Sequence, residues 1–372
     1  MGFYDIIEKY KAFDFENYCN SIKNEDIINS LNKTKLNDMD FLNIISNKAE
    51  KYIEIMAKKS MDITRQYFGR TISLYTPMYI SNYCTNRCIY CGFNKDNKIK
   101  RAKLTLEEIE KEAIEIAKTG LKHLLVLTGE ADTEKDFIYL KDSIKLLSNY
   151  FPSISIEVFP MDTDKYIELK KLGVDGLTVY QETYNKELYE KVHLAGKKRD
   201  YHYRLDTPER GAIAGFRQVS IGTLFGLGET IKEAFFSGLH LRYLMDNYLD
   251  TEFSISLPRI NDAEGGFKPN DPMRDKKFVQ IMTAYRIFAN RAGINISTRE
   301  KQEFRDNIMK LGVTKMSADS KTDVGGHTKV DNSTKQFEIS DNRNVEEMVH
   351  SIESQNYQAI YKDWIWESGE IR

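Results

Sequence analysis

TLEEIEKEAIEIAKTGLKHLLVLTG, residues 105–129, contains one complete helix followed by one strand. Thr105 is the N-cap, Glu108 three residues on completes a capping box, and Gly120 stops the helix. The apolar run HLLVLTG, 123–129, then reads as a buried strand. The same alternation extends in both directions. Apolar runs stand at 72–81, 154–160, 176–180, 219–226, 253–258, 294–299 and 312–317, with helical patterns at 134–149, 162–172, 230–248 and 272–292. Eight strands alternating with helices over roughly 250 residues match an α/β fold, the (β/α)8 TIM-type barrel.

The flanks divide the chain into three expected parts. Residues 1–70 form an N-terminal helical extension, in which Leu42, Ile45, Ala49, Ile53, Met56 and Ala57 make a one-sided stripe. Residues 71–320 form the barrel. Residues 321–372 form a C-terminal loop and capping segment of the same globule, with an amphipathic helix followed by Tyr361, Trp364 and Trp366 as caps. Two polar inserts interrupt the alternation, a long connection at 185–210 and a loop at 318–336. Both follow strands, and loops after strands lie at the catalytic face of a parallel barrel.

Hydrophobic residues make up 41% and charged residues 30% of the chain, which suits a folded globule rather than a disordered one. The net charge of −2 is spread along the sequence, with no basic footprint for nucleic acid. No apolar run is long enough to span a bilayer. The start MGFYDI carries neither an apolar signal core nor the Ser or Thr of a myristoylation motif. A cytoplasmic protein with no nucleic-acid or membrane partner is expected.

The chain has four cysteines, and three of them, Cys84, Cys88 and Cys91, fall within eight residues. That crowding is unlike a secreted disulfide framework and points to metal or redox chemistry. Cys84-Thr-Asn-Arg-Cys88-Ile-Tyr-Cys91 is C-x3-C-x2-C, a spacing whose three thiolates can ligate three irons of a [4Fe–4S] cubane, which leaves the fourth without a protein ligand. Tyr90 places an aromatic before the last cysteine, and the motif follows the first strand. The competing reading is structural zinc. It wants four ligands, yet no cysteine follows Cys91, and the nearest histidine, His123, is on the next strand. Cys19 reads as an ordinary thiol.

C-x3-C-x2-C at the first loop of a (β/α) chain is identified as the signature of the radical S-adenosylmethionine (SAM) superfamily. Thr128-Gly129-Glu130-Ala131-Asp132 resembles that superfamily's glycine–glutamate motif, which implies that Gly129 and Glu130 receive the SAM amino group. Gly222-Thr-Leu-Phe-Gly226-Leu-Gly-Glu229 resembles the fifth-strand G-x-I-x-G-x-x-E near the adenine, with Leu224 in the isoleucine place. Glu182 and Arg204 resemble the pair that grips the SAM amino acid moiety in the biotin-synthase-like branch. The implied cofactors are a [4Fe–4S] cluster and S-adenosyl-L-methionine.

Longer strings narrow the resemblance. SLYTPMYISNYCTNRCIYCGFN (73–94), VYQETY (179–184), HLAGKKRDYHYRL (193–205), SLPRI (256–260), STRE (297–300), SADSKTDVGGHTK (317–329) and QFEISDNR (336–343) resemble the tyrosine lyases of thiamine biosynthesis, the 2-iminoacetate synthases. The resemblance implies cleavage of the Cα–Cβ bond of L-tyrosine to 2-iminoacetate (dehydroglycine) and p-cresol, with methionine and 5′-deoxyadenosine formed from SAM. It also implies hand-over to thiazole synthase and a flavodoxin- or ferredoxin-type electron donor. The tyrosine-cleaving maturases of [FeFe]-hydrogenase are similar but carry further cysteines near the C-terminus. No cysteine follows Cys91 here, which favours the thiamine enzyme. Two other readings stay open: a radical SAM lyase serving another cofactor pathway or acting on another amino acid such as tryptophan, and a zinc-stabilised binding scaffold.

A tyrosine carboxylate calls for a guanidinium, and Arg299 and Arg259 end the seventh and sixth strands. Ser256, Ser297 and Thr298 offer hydroxyl donors, while Tyr180 and Gln181 precede Glu182. Each serves equally well as a packing or loop residue. His240 reads as a packed residue on a helix surface. His327, after Gly325 and Gly326, suits either phenol contact or a turn.

Overall fold

The computed structural model describes residues 2–131, 133–328 and 333–362. Nine strands are present among them: β1 Thr71–Ser81, β2 His123–Thr128, β3 Ser153–Glu157, β4 Val174–Glu182, β5 Gln218–Thr223, β6 Glu252–Ser256, β7 Gly293–Ile296, β8 Lys315–Ser317 and β9 Gln358–Ile360. Strands β1 to β8 pair in sequence order, all parallel, and β1 bonds both β2 and β8, closing a (β/α)8 barrel. Every expected apolar run contains or overlaps one of these eight strands. The expected helix after β1 is Leu106–Lys118, and its capping box forms as read, with Thr105 N–H donating to Glu108 Oε2 at 2.9 Å. Strand β9 was not legible. It adds three residues beside the start of β1, pairing Gln358 with Thr71. Trp364 and Trp366 lie outside the described residues.

Two further expectations need correction. The stretch 185–210 is not an irregular connection. It folds into the short helices Lys186–Val192, Tyr201–Leu205 and Thr207–Ile213, the first two capped by Asn185 and Asp200 side chains. Helices this short carry too few turns for an apolar period to show. His240 is not at the surface. Its ring stacks on Phe3 at 4.1 Å and its Nδ1 meets the Tyr184 hydroxyl at 2.9 Å, because the helix Phe3–Lys9 covers that face. The helices Asp38–Ile45 and Ile53–Phe68 pack on Asp275–Phe288, where Lys277 and Gln280 donate to the Ile45 and Ile44 carbonyls and Phe41 stacks on Phe288 at 4.3 Å.

The lower barrel interior is polar where aliphatic layers are usual. His123 bonds Ser155 at 2.8 Å, and Asn295 donates to Ser220 and Ser254, both at 3.0 Å. His123 therefore belongs to the barrel floor, at the opposite end of β2 from the cysteine loop.

The rim above β8 is completed by loop backbone. Strand β1 has eleven residues and β8 only three, so the upper half of β1 has no strand neighbour on that side. The chain after β8 fills the gap, with Ala318 N–H bonding Tyr75 O at 2.9 Å and Gly325 N–H bonding Tyr79 O at 3.3 Å. Further on, Asp341 is fully buried between Arg305 and Arg343, and Ser340 N–H bonds Thr298 O at 2.8 Å. This anchor suspends residues 336 and 337 over the barrel mouth. Removing one partner of a buried ion pair strands the other, at a cost of about 3–5 kcal/mol. Asp341→Ala is accordingly expected to lower unfolding stability by about that amount in urea titrations; a loss below about 1 kcal/mol would contradict the anchor.

Candidate active site

Two cavities meet at the C-terminal mouth of the barrel. The upper one is bordered by Cys84, Cys88, Cys91, Glu130, Glu182 and Arg204. The inner one lies below, among Tyr75, Tyr79, Ser256, Ser297 and Thr298. Their common wall includes Glu157, Tyr180, Arg299, Gln336 and Phe337.

The cysteine loop is held from several sides. Thr85 N–H bonds Glu130 O at 3.1 Å, and Arg87 exchanges backbone bonds with Leu194 and Ala195 at 3.0 Å. Arg101 staples the ends of the loop, donating to Asn82 O, Phe93 O and Asn94 O. Gly129 is required by a close approach, since a Cβ there would sit 2.2 Å from Tyr83 O. Tyr90 is fixed through His193. The imidazole Nδ1 faces the Tyr189 carbonyl at 2.8 Å and must donate, so Nε2 accepts from the Tyr90 hydroxyl at 2.7 Å. Burial keeps His193 neutral by driving its pKa well below the usual value.

Burial also pushes all three motif thiols up, Cys91 to about 11. Such thiols are released as thiolates when a metal takes them. Among the described residues, no three His, Cys, Asp or Glu side chains are disposed around a single metal ion. Structural zinc takes four protein ligands, whereas a cubane held by three thiolates keeps one iron open. Three thiols bordering one cavity, without a fourth protein sulfur, therefore fit a cluster with one open iron.

Beside the thiols lies a buried quartet of charges. Arg204 Nη1 bonds Glu130 Oε1 at 2.8 Å and Nη2 lies 3.7 Å from Glu182 Oε1, while Lys198 Nζ bonds Glu182 Oε1 at 2.7 Å. Asn86, from the cysteine motif itself, donates to Glu130 Oε2 at 2.7 Å. Burial alone would raise the Glu130 pKa, but Arg204 and Lys198 outweigh it and hold the carboxyl below its usual range. Glu182 has φ +69°, an unusual conformation for a non-glycine residue, at a bulge between β4 and β5.

The expected site residues fall into groups. Cys84, Cys88, Cys91, Tyr90, Gly129, Glu130, Glu182, Arg204 and Leu224 all border the upper cavity. Gly222 and Gly226 do not; they allow close backbone packing, Gly226 at φ +113°. Ser256, Ser297 and Thr298 border the inner cavity, and Tyr180 and Arg299 border both. Gln181 is turned away. Strand residues alternate faces, so Tyr180 and Glu182 point inward and the Gln181 amide lies 3.5 Å from Tyr201 O. Arg259 is occupied elsewhere, ion-paired to Glu300 and Asp275 and donating to Met273 O, and it borders an outer cleft. His327 is a loop support, its ring at 3.2 Å from Pro77 O and its N–H on Glu112. Asp132 lies outside the described residues. Lys198, Asn86, Glu157 and Gln336 were missed. The first two and Gln336 lie inside quoted strings whose chemistry was assigned to their neighbours. Glu157 shows only as one charge at the end of an apolar strand.

The match to known proteins agrees with this geometry. Residues 78–235 match the Radical SAM superfamily and residues 256–358 the Biotin and Thiamin Synthesis associated domain. The protein is thus a radical SAM enzyme, a class that implies SAM and a [4Fe–4S] cluster. The chain is 37% identical over 340 residues to the 2-iminoacetate synthases of Salmonella typhimurium and Escherichia coli, covering 91% of this chain and 90% of each relative. It belongs to the 2-iminoacetate synthase family of radical SAM lyases. The structure of the FeFe-hydrogenase maturase HydG from Carboxydothermus hydrogenoformans superposes with a TM-score of 0.85 at 31% identity, covering 97% of this chain and 83% of HydG. Methylornithine synthase, PylB, shares the fold at a TM-score of 0.73 and 20% identity. No helix among the described residues is long and apolar enough to cross a membrane.

The quartet makes a pH prediction. A carboxyl held low contributes stability above its unfolded pKa, about 4.3 for Glu, and loses it as pH falls through the folded value. The stability gap between wild type and Glu130→Gln in the metal-free protein should therefore narrow below about pH 4. Melting temperatures from pH 3 to 7 would read this, and a gap that widens on acidification would contradict it.

Proposed function

We propose that the protein cleaves the Cα–Cβ bond of L-tyrosine to 2-iminoacetate and p-cresol, with SAM consumed to methionine and 5′-deoxyadenosine, and so supplies the glycine-derived unit of the thiamine thiazole. The observation that carries this reading is identity to two 2-iminoacetate synthases over nine-tenths of both chains. Cys84, Cys88 and Cys91 would hold the [4Fe–4S] cluster. When bound, cluster and SAM together supply the 5′-deoxyadenosyl radical that initiates the reaction.

The protein's own residues supply position and dryness. Glu130, Glu182, Arg204 and Lys198 present paired charges to the amino acid end of SAM, with Gly129 leaving room for backbone contact. Leu224 and Tyr90 give the cavity apolar wall, and Gly222 and Gly226 shape the strand beside the adenine. In the inner cavity, Arg299 receives the tyrosine carboxylate, with Ser256, Ser297 and Thr298 as hydroxyl partners and Tyr180 between the two ligands. Arg299 is suited to this because its guanidinium makes one protein hydrogen bond among the described residues, to Arg259 O at 3.3 Å, and lies over the Phe337 ring at 3.3 Å. Gln181 and Arg259 support this arrangement from outside it. The inner cavity is closed below by the barrel floor, which excludes water from a reactive intermediate. Thiazole synthase as recipient of the hydrolysable imine, a flavodoxin- or ferredoxin-type donor and a cytoplasmic setting belong to the same proposal.

Anaerobic turnover of reconstituted protein with SAM, dithionite and tyrosine should yield p-cresol and 5′-deoxyadenosine together. Arg299→Ala, losing charge-assisted bonds worth about 1.5–3 kcal/mol, should raise the KM for tyrosine about 10- to 100-fold. Deoxyadenosine without p-cresol in wild type, coupled instead to tryptophan or another amino acid, would overturn the choice of substrate.

A further inference from the structure

Glu157 ends β3, in register with Leu127 of β2, and is the carboxylate common to both cavities. Among the described residues, no donor bonds its side chain. The groups that face it come from every wall. They are Tyr75 and Tyr79 of β1, Tyr180 and Glu182 of β4, Lys198 and Arg204 from the chain after β4, and Arg299 after β7. Burial and the neighbouring Glu182 charge raise its pKa to about 7, against the pull of Arg299, Lys198 and Arg204.

The decisive feature is the relation of Glu157 to Arg299. Opposite charges border one space, yet they do not bond each other, and neither has another ionic partner among the described residues. Elsewhere in this site carboxylates and cations close the distance, as in Lys198–Glu182 at 2.7 Å. A cation and an anion held apart across a cavity complement a molecule that carries both charges on one carbon, which is an α-amino acid zwitterion. With its carboxylate on Arg299, its ammonium is directed to the other charged wall.

We infer that Glu157 receives the α-ammonium of the substrate and accepts a proton from it. In this step an N–H bond breaks, the electron pair stays on nitrogen, and an O–H bond forms on the Glu157 carboxylate. Charge is conserved, since ammonium and carboxylate become amine and carboxylic acid. The chemistry needs it, because an ammonium nitrogen has no lone pair with which to form the C=N bond of an imine. A carboxylate that titrates near neutrality is matched to that task. The inference rests on the amino acid lyase reading above.

The test uses reconstituted holoenzyme and the variants Glu157→Gln and Glu157→Asp, with iron content checked in each. Two ligands are compared, L-tyrosine and its desamino analogue 3-(4-hydroxyphenyl)propanoate, which keeps the carboxylate and phenol but lacks the ammonium. Wild type should prefer tyrosine over the analogue in competition, and Glu157→Gln should shrink that preference about tenfold or more. The p-cresol rate of Glu157→Gln should fall about 100-fold or more, with loss of the acidic limb of the kcat/KM profile near pH 7, and Glu157→Asp should recover part of it. An unchanged preference with an unchanged pH profile in Glu157→Gln would overturn the assignment. Wild type that couples to a different α-amino acid would sink the tyrosine reading alone, and Glu157 is then tested on that amino acid against its own desamino analogue.

Discussion

The site depends on one buried electrostatic arrangement, in which Arg204 lies between Glu130 and Glu182 while Lys198 closes on Glu182 and Asn86 on Glu130. These five residues come from the cysteine loop, the end of β2, the end of β4 and the helical stretch behind it. No charged member is affordable alone at that depth, since an unpaired buried charge costs several kcal/mol. Together they are neutral and hydrogen-bonded, and they hold the cysteine loop to three other elements. Position of the thiols and chemistry of the neighbouring wall are thus one constraint.

Barrel closure sets the second half of the cavity. With β8 so much shorter than β1, strand pairing leaves the rim open beside Tyr75 to Tyr79, and the backbone of 318–325 fills it. The Arg305–Asp341–Arg343 anchor then brings Gln336 and Phe337 over the mouth. Gln336 accepts from the Tyr79 hydroxyl at 2.7 Å and turns its amide toward Cys91 Sγ at 4.0 Å, so one side chain touches both cavities. Arg299 lies over Phe337 in the same wall. The string QFEISDNR therefore combines a structural anchor with two cavity-facing side chains.

Much of this was readable because local signals agreed with the global fold. The capping box at Thr105, the recurring strands and the cysteine spacing each need only a few neighbouring residues to be recognised. What escaped depends on long-range contacts. Arg259 and Arg299 look alike at the ends of adjacent strands, and only the packing shows Glu300 and Asp275 consuming the first. Gln181 was grouped with its neighbours although strand alternation turns it outward. His240 lies on a helix face that a helix some 230 residues earlier covers. Lys198 and Glu157 take their significance from charges on other strands, which no window of sequence contains.

Cys84, Cys88 and Cys91 would hold a [4Fe–4S] cluster in the cavity that Glu130, Glu182, Arg204 and Lys198 also line. Low-temperature electron paramagnetic resonance of anaerobically reconstituted, reduced protein, with metals counted per chain, addresses this assignment most directly. Roughly four irons per chain and a cluster signal that changes when SAM is added are expected. Zinc in place of iron, or a signal indifferent to SAM, would contradict the assignment.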